Sequence, residues 1–184
     1  MKKSHHMILT LTLVGMLSGG ALVGVYRYTQ PLIKINQQKA LQEAIFQVLP
    51  GAQTFREIKK DGKIIYKGFD SSGKEVGYAF TGEGPGYQGI IKLMIGVDPE
   101  LKQIFAIQVL ESVETPGLGQ KITTSSFRDQ FHHLSISSPL RVVKRKPSTS
   151  GEVQAITGAT ISSQAVVDIV NGEIARVRKL LENE

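Results

Sequence analysis

The sequence predicts an α+β fold, with a mainly antiparallel sheet packed with helices and one N-terminal transmembrane helix. Three observations support this prediction. An uncharged run extends from Met7 to Tyr26. Alternating apolar patterns separated by turn residues fill residues 54–110, which is typical of antiparallel strands. From Ser162 onward, apolar residues recur at steps of three and four, the pattern of an amphipathic helix. We expect this helix to cover the sheet with Val166, Ile169, Val170, Ile174 and Val177.

The first element is a membrane anchor. At 1.5 Å per residue, a helix over residues 7–26 spans a hydrocarbon core of about 30 Å. Lys2 and Lys3 precede it, so we expect residues 1–6 in the cytoplasm and residues 29–184 outside. Small residues in the run also fit a signal peptide, but the apolar run continues past them. The sequence therefore predicts a single-pass protein of the cell inner (cytoplasmic) membrane, with its C-terminal domain on the periplasmic or extracytoplasmic side.

A connecting helix over residues 27–50 is expected next. Its pattern begins at Pro31 and ends at Pro50-Gly51. Residues 51–184 are then predicted to form one extracytoplasmic domain. Within it, Asp61-Gly62 indicates a hairpin between the first two strands. The predicted strands are Thr54–Lys59, Lys63–Phe69, Val76–Thr81, Ile90–Val97 and Ile104–Val109.

Three further segments surround these strands. Residues 82–89 contain four glycines, which indicates a loop where the backbone approaches a neighbour closely or, alternatively, a flexible connector. A short helix is expected at Ser125–Leu134. Residues 135–152 are polar and basic and are expected to form a long loop.

The composition excludes several functions. Lys and Arg exceed Asp and Glu by 22 to 16, but no basic face with interleaved aromatic residues is present, so nucleic acid is not an expected partner. The chain has no Cys, which excludes disulfides, thiolate-ligated iron–sulfur clusters and c-type haem attachment. The four His residues form two adjacent pairs whose side chains point apart on a helix, so no metal site is expected.

The segment Thr157–Ser163, which reads Thr-Gly-Ala-Thr-Ile-Ser-Ser, is the main candidate for a functional site. It leads into the final helix, so Gly158, Ala159 and Thr160 are expected at a helix N-terminus. Free backbone N–H groups and a partial positive charge there suit a phosphate, and Thr160 adds a hydroxyl. Alternatively, one of the hydroxyls in this segment simply caps the helix.

A second candidate is the loop from Glu111 to Gly119. It turns at Pro116-Gly117 and carries Leu118 between two glycines. A carboxylate, a hydroxyl and bare backbone are what a loop that faces a ligand needs. The same residues also suit an ordinary turn.

Three blocks together resemble a known family: Gly86–Ile90 (Gly-Tyr-Gln-Gly-Ile), Glu114–Gly119 (Glu-Thr-Pro-Gly-Leu-Gly) and Thr157–Ser163. Their order and the N-terminal anchor are similar to the FMN-binding G subunit of the Rnf electron-transport complex. The C subunit of the sodium-pumping NADH:quinone reductase is a close relative of that family. The resemblance covers nearly the whole chain, and its third block is the most specific.

The resemblance implies a covalently bound FMN. In this family the last Thr of the block is esterified to the FMN phosphate, which would make Thr160 a phosphoryl threonine and the chain a phosphoprotein. An ApbE-type flavin transferase makes the bond with FAD as donor. Where the family usually has an Asp three residues before the block, this chain has Gln154. The implied cofactor-binding residues, with Thr115 and Leu118 expected against the flavin ring, are Thr160, Thr157, Gly158, Ala159, Ser162, Ser163, Glu114, Thr115, Pro116, Gly117, Leu118, Gly119 and Tyr87.

The resemblance further implies an electron relay within an ion-translocating ferredoxin:NAD oxidoreductase, with the other membrane subunits of that complex as partners. The chain would be an electron-transfer component of a translocase, with no catalytic residue of its own. Lys144, Arg145 or Lys146 are candidates to offset the phosphate charge, unless they form a solvated loop. Three alternatives remain: the C subunit of a sodium-pumping NADH:quinone reductase, a stand-alone extracytoplasmic flavin shuttle, and a non-redox, membrane-tethered interaction module.

Overall fold

The structure is a computed structural model that describes residues 2–182. Met1, part of the predicted cytoplasmic segment, and residues 183–184, the last two of the predicted extracytoplasmic domain, lie outside the described residues. The chain divides into two units, with the boundary between Ala40 and Leu41.

The first element is one continuous helix, α1 (Lys2–Val48). The sequence predicted that a separate helix begins at Pro31, but Pro31 lies inside α1. Proline lacks a backbone N–H, so it removes one helical hydrogen bond without ending the remaining ladder. From Met7 to Tyr26 the large apolar side chains of α1 are exposed. By length and composition, α1 is a candidate membrane-spanning helix.

Six strands form one antiparallel sheet, in which each strand pairs with the next along the chain. The predicted hairpin between the first two strands is present, with positive φ angles at both Asp61 and Gly62, as a two-residue hairpin turn requires. The strands are β1 (Thr54–Lys60), β2 (Lys63–Phe69), β3 (Glu75–Pro85), β4 (Ile90–Val97), β5 (Gln103–Ser112) and β6 (Leu134–Ser135).

Three predictions for the segments around the sheet were wrong or incomplete. Gly82 and Gly84 belong to β3, so the expected loop is reduced to the turn Gly86–Gly89. The expected helix at Ser125–Leu134 is a short helix, α2 (Ser125–Arg128), followed by a 3₁₀ turn, Asp129–Phe131, and β6. The expected loop over residues 135–152 contains β7 (Arg141–Val143), which pairs in parallel with β8 (Glu152–Gln154).

Helices cover both faces of the six-stranded sheet. One face packs against α3 (Thr160–Glu182), whose predicted core residues are all buried: Val166, Ile169, Val170, Ile174 and Val177. The other face packs against Ile45 and Val48 at the end of α1 and against Leu49, which follows the helix. Successive strand residues point to opposite faces, so Ile65 belongs to the first core and Tyr66 to the second. The α+β prediction is confirmed.

The sheet backbone approaches α3 most closely at Gly82 and Gly84. A Cβ atom at either glycine would lie 2.8 Å from a side-chain carbon of Ile169, closer than real Cβ contacts come. These two glycines therefore allow a helix to pack on the strand. The sequence predicted that the backbone approaches a neighbour closely in this segment, and the structure shows that this neighbour is Ile169 of the protein's own core.

Candidate functional site

Three segments meet at one open cleft with a volume of about 390 Å³, within the ~300–1,000 Å³ typical of small-molecule sites. They are the turn after β3, the loop after β5 and the first turn of α3. The cleft is lined by Tyr87, Glu114, Thr115, Leu118, Gly119, Gly158, Ala159, Thr160, Ile161 and Ser162. All but Ile161 belong to the predicted cofactor-binding set. Four other members of that set do not line the cleft: Thr157, Ser163, Pro116 and Gly117.

The start of α3 is fixed by its own backbone. Gly158 has a φ of +82°, a conformation that glycine adopts without the steric cost of a Cβ atom. The N–H of Ala159 donates to the carbonyl of Ile156 at 2.9 Å, and the carbonyl of Ala159 accepts from the N–H of Ser163 at 3.0 Å. The helix therefore begins at Thr160, which places the Thr160 hydroxyl in its first turn.

The three hydroxyls at this helix start have different environments. The buried Ser163 Oγ accepts from the N–H of Ile156 at 3.0 Å and donates to the carbonyl of Ala159 at 2.9 Å. Ser162, also buried, donates to Glu114. The Thr160 side chain is exposed, and within residues 2–182 its hydroxyl has no hydrogen-bond partner. Ser163 thus ties the segment before α3 to the first turn of the helix, but neither of its bonds goes to a first-turn N–H, so it does not cap the helix in the way the sequence left open. Thr160 stays available.

Glu114 joins the three segments. Its Oε2 accepts from Ser162 Oγ at 2.6 Å, and its Oε1 accepts from the N–H of Gln88 at 3.0 Å. A Cβ atom at Gly86 or Gly119 would collide with the carboxylate oxygens, so bare backbone encloses this side chain, which is 4% exposed. One carboxylate therefore connects the turn after β3, the loop after β5 and the start of α3.

Glu114 is ionised at neutral pH. Burial raises the pKa of its carboxyl, because a charged group loses solvation there. The Ser162 hydroxyl and the backbone N–H groups of Gln88, Tyr87 and Gly89 outweigh that effect and lower the pKa below its ordinary value. The cleft wall therefore carries a fixed negative charge.

The loop after β5 shapes another wall of the cleft. The Thr115 hydroxyl donates to Gln88 Oε1 at 2.9 Å. Gly117 has a φ of +76° and turns the chain before Leu118, which lies beside Gly158: a Cβ at Gly158 would be 3.2 Å from Leu118 Cδ2. The predicted turn at Pro116-Gly117 therefore presents Leu118 to the cleft, although its own two residues stay outside the lining.

Exposed apolar side chains surround the mouth of the cleft. Beyond α1, five large hydrophobic residues of the described chain are exposed: Tyr87 (67%), Ile90 (57%), Val113 (65%), Leu118 (46%) and Ile161 (59%). Tyr87, Leu118 and Ile161 line the cleft. The Val113 side chain lies against Gly89, the residue before Ile90 in the chain. Nothing in the sequence pattern marked Ile161, because an apolar residue at a helix start is usually core. Apolar surface of this kind suits a flat aromatic ligand.

The basic residues considered as partners for a phosphate do not line this cleft. Arg145 forms a two-fold hydrogen-bonded ion pair with Glu152, at 3.0 and 2.9 Å. The backbone N–H of Ser148 and the Arg145 guanidinium lower the pKa of Glu152 to about 2. Lys144 and Lys146 are exposed and also lie outside the lining. Arg145 therefore stabilises its own loop.

Gln154 stands at the end of β8, with an exposed side chain. Its backbone is held from the other side by Gln130, whose Oε1 accepts from the Gln154 N–H at 2.7 Å and whose Nε2 donates to the Gln154 carbonyl at 3.3 Å. The fold around the segment before Thr157 therefore depends on the Gln154 backbone and leaves the side chain free.

Comparisons with known proteins agree with this fold and identify a family. The profile of the FMN-binding domain matches residues 86–174, a range that contains all three segments of the cleft. The G subunit of an ion-translocating oxidoreductase complex from Methanosarcina acetivorans is 36% identical over 181 residues, 94% of each chain. The G subunit of a proton-translocating ferredoxin:NAD(+) oxidoreductase complex from Clostridium ljungdahlii is 33% identical, over 91% of this chain and 88% of that one.

Two solved structures share the fold. NqrC of Shewanella oneidensis superposes with a TM-score of 0.55 at 23% identity, over 66% of this chain and 64% of that one. The C subunit of the Na(+)-translocating NADH-quinone reductase from Parabacteroides distasonis gives a TM-score of 0.52 at 25% identity, over 69% of this chain and 61% of that one. In both cases the match spans less than two thirds of the solved chain.

Fold, cleft and anchor together define a membrane-anchored protein with an FMN-binding domain. Identity to the Methanosarcina and Clostridium proteins extends over nearly their whole length. The chain belongs to the Rnf family of G subunits of ion-translocating oxidoreductase complexes. The resemblance carried by the three sequence blocks is therefore confirmed at the level of the family.

Proposed function

We propose that this chain carries FMN bound covalently through the Thr160 hydroxyl and relays electrons within an ion-translocating ferredoxin:NAD oxidoreductase complex. The observation that supports this proposal is the state of that hydroxyl. It is exposed in the cleft and free of hydrogen bonds to other described residues, while Ser162 and Ser163 beside it are buried and bonded. Of the three, Thr160 is the one that a second protein can reach.

Attachment would use an ApbE-type transferase with FAD as donor. The Thr160 oxygen forms an ester bond to the phosphorus nearest the flavin, the pyrophosphate bond of FAD breaks, AMP leaves, and the hydroxyl proton passes to solvent. The reaction needs access to Thr160 and no catalytic residue from this chain. An exposed side chain on the first turn of α3 meets that requirement.

The cleft residues fit an FMN group. First-turn backbone N–H groups of α3 would suit the phosphate of a bound FMN, and Gly158 has no side chain that would hinder the approach to them. Tyr87, Leu118 and Ile161 offer apolar surface to the flavin ring, with Thr115 beside them. When bound, FMN supplies the capacity to accept electrons singly or in pairs, and the protein supplies binding and orientation.

We propose the same membrane arrangement that the sequence suggests. Residues 1–6 lie in the cytoplasm, residues 7–26 cross the membrane, residues 27–50 connect, and the domain of residues 51–184 faces the extracytoplasmic side. A covalent bond prevents loss of the cofactor in a compartment where it is not readily replaced. Other membrane subunits of the complex are the partners, in keeping with the names of the relatives in M. acetivorans and C. ljungdahlii.

One alternative is favoured by a specific observation. One solved chain of this fold, at 25% identity, is named as the C subunit of a Na(+)-translocating NADH-quinone reductase, so a place in such a reductase would suit the same cleft and the same threonine. The higher-identity relatives over nearly the full chain are G subunits, and we therefore prefer the ferredoxin:NAD oxidoreductase complex. A stand-alone shuttle would use the cleft identically but would purify without partners.

Intact-mass analysis tests the covalent bond. The full chain is co-expressed with an ApbE-type transferase, as parent, Thr160→Ala and Thr157→Ala. We expect an FMN-sized adduct on the parent and on Thr157→Ala, whose side chain lies outside the cleft lining, and none on Thr160→Ala. Purification in mild detergent from cells that also contain the other subunits of the complex should then give a yellow protein with co-purifying membrane subunits. A parent and a Thr160→Ala protein that differ in mass by the substitution alone would refute the proposal, and a colourless protein without partners would favour a non-redox interaction module.

A further inference from the structure

The start of α3 already holds an anion that belongs to the protein. A helix N-terminus carries roughly half a positive charge, which favours a negative group within the first turn. Here the Glu114 carboxylate occupies part of that favourable position, because it accepts from the Ser162 hydroxyl at 2.6 Å. The helix field that suits a phosphate is therefore shared with Glu114.

This carboxylate cannot turn away from the cleft. The Gln88 N–H holds its other oxygen at 3.0 Å. Backbone at Gly86 and Gly119 surrounds it so closely that a Cβ at either position would collide with its oxygens. With 4% of its surface exposed, the charge is also poorly screened by water.

No cation in the lining offsets this charge. Among the ten described residues that line the cleft, Glu114 is the one that is charged at neutral pH. The nearby basic loop does not contribute to the lining, and its Arg145 is bound to Glu152. A phosphate in this cleft therefore meets helix N–H groups together with a fixed negative charge.

Free and attached FMN differ in the charge they bring. A phosphate monoester carries about −1.5 to −2 at pH 7, whereas an ester to Thr160 leaves one ionisable oxygen. Riboflavin, which has the same ring and no phosphate, brings no such charge. Repulsion from Glu114 should thus be strongest for free FMN, weaker for attached FMN and absent for riboflavin.

We propose that Glu114 selects against unattached FMN, so that occupancy of the cleft depends on the covalent bond. The inference rests on the proposed attachment at Thr160 and deepens it. In this arrangement Glu114 is a specificity-determining residue: it keeps loose FMN out of the cleft and admits the flavin that the transferase delivers. The same side chain holds the cleft walls together, so selection and shape come from one carboxylate.

Flavin binding to the full chain tests this proposal. Thr160→Ala protein, which cannot form the ester, is purified in mild detergent and titrated with FMN and with riboflavin, using flavin fluorescence. We expect riboflavin to bind more tightly than FMN. Adding Glu114→Gln keeps the side-chain shape but removes the charge: the amide oxygen can still accept from the Gln88 N–H, while the amide NH2 can donate to Ser162 Oγ instead of accepting from it. This variant should raise the affinity for FMN relative to riboflavin roughly tenfold, the size expected for charges several ångström apart in a partly solvated site.

Two controls test whether the effect depends on charge at this position. Glu111→Gln removes a carboxylate that is 61% exposed and lies outside the cleft lining, so it should leave the ratio of FMN to riboflavin affinity within about twofold, because water and salt screen an exposed charge. Raising NaCl from about 20 mM to about 500 mM shortens the screening length; it should strengthen FMN binding to the Thr160→Ala protein and have little effect once Glu114→Gln is added.

Three results would overturn the inference. The first is FMN binding to the Thr160→Ala protein as tightly as riboflavin, and the second is an equal change of the ratio by Glu114→Gln and Glu111→Gln. If neither flavin binds any of these proteins, charge is not what excludes FMN, and the inference fails as well. Each result is independent of the mass measurement on the Thr160 protein, so failure of the attachment itself would be recognised separately.

Discussion

Gly84 and Ile169 offer a direct test of how closely α3 packs on the sheet. A Cβ atom at Gly84 would lie 2.8 Å from Ile169 Cγ1 and 3.3 Å from its Cδ1, with no other side chain as near. Ile169 is β-branched and 7% exposed, so its rotamer has little freedom to adjust. We expect Gly84→Ala to overpack this contact at a cost of about 1–3 kcal/mol in the free energy of unfolding. Replacing a glycine within a strand by alanine also stabilises the fold by about 0.5–1 kcal/mol, which offsets part of this cost.

The interaction becomes measurable when the two substitutions are combined. Ile169→Ala alone should cost about 2–5 kcal/mol, because it leaves a cavity in the core. In that background the new methyl at position 84 enters space that Ile169 has vacated, so the double variant should be more stable than the sum of the two single effects by about 1 kcal/mol or more. Gly172→Ala is the matched control: it lies in α3 with nothing within 4 Å of its Cβ position and should stabilise by about 0.5–1 kcal/mol.

Urea unfolding of the full chain in mild detergent measures these effects. Near-ultraviolet circular dichroism follows the tyrosines that pack on the sheet, of which Tyr66 is 5% exposed. If the two substitutions are additive within about 0.3 kcal/mol, they do not share a contact. If Gly84→Ala stabilises the chain while Ile169 is present, the Ile169 side chain does not pack closely against Gly84 of β3.

Two further predictions concern the cleft and the basic loop. Leu118→Asp should shift the absorption and the reduction potential of the bound flavin, because it places a charge where Leu118 now lines the cleft; an unchanged flavin would place that loop elsewhere. Glu152 has a pKa lowered from 4.5 to about 2, so it contributes stability above pH 4.5 that is lost as the pH falls toward 2. The difference in melting temperature between the parent and Glu152→Gln should therefore shrink over that range, and a constant difference would show that the Arg145 pair does not stabilise the fold.

Much of the sheet could be predicted because its signals are local. The bounds of β2 and β4 were predicted residue for residue, since apolar runs and alternation lie between clear turn residues there. The end of β3 was missed because glycines at 82 and 84 suggest a loop. Only contact with Ile169, distant in sequence, explains why glycine is needed inside a strand.

The segments that form the cleft could be predicted more fully than the role of each residue in it. The three blocks identified the surfaces that meet, but the three hydroxyl residues at the helix start, Thr160, Ser162 and Ser163, have nearly equivalent sequence signals. Burial separates them: Ser162 and Ser163 are enclosed and Thr160 is exposed. Glu114 was visible in the sequence as a carboxylate in a loop, and its enclosure by Gly86 and Gly119 depends on tertiary contacts that no local pattern encodes.

The order of the elements along the chain has a consequence for maturation. Strands β1 to β5 pair only with sequence neighbours, and such local pairing is fast. By contrast, α3 is synthesised after all of them and must dock on the completed sheet before the Ser162 hydroxyl can reach Glu114 across 48 positions of sequence. The Thr160 hydroxyl then takes its place in the cleft as one of the last events of folding. We therefore expect a transferase that requires this geometry to ignore nascent and misfolded chains, so that the presence of flavin marks a molecule whose folding is complete.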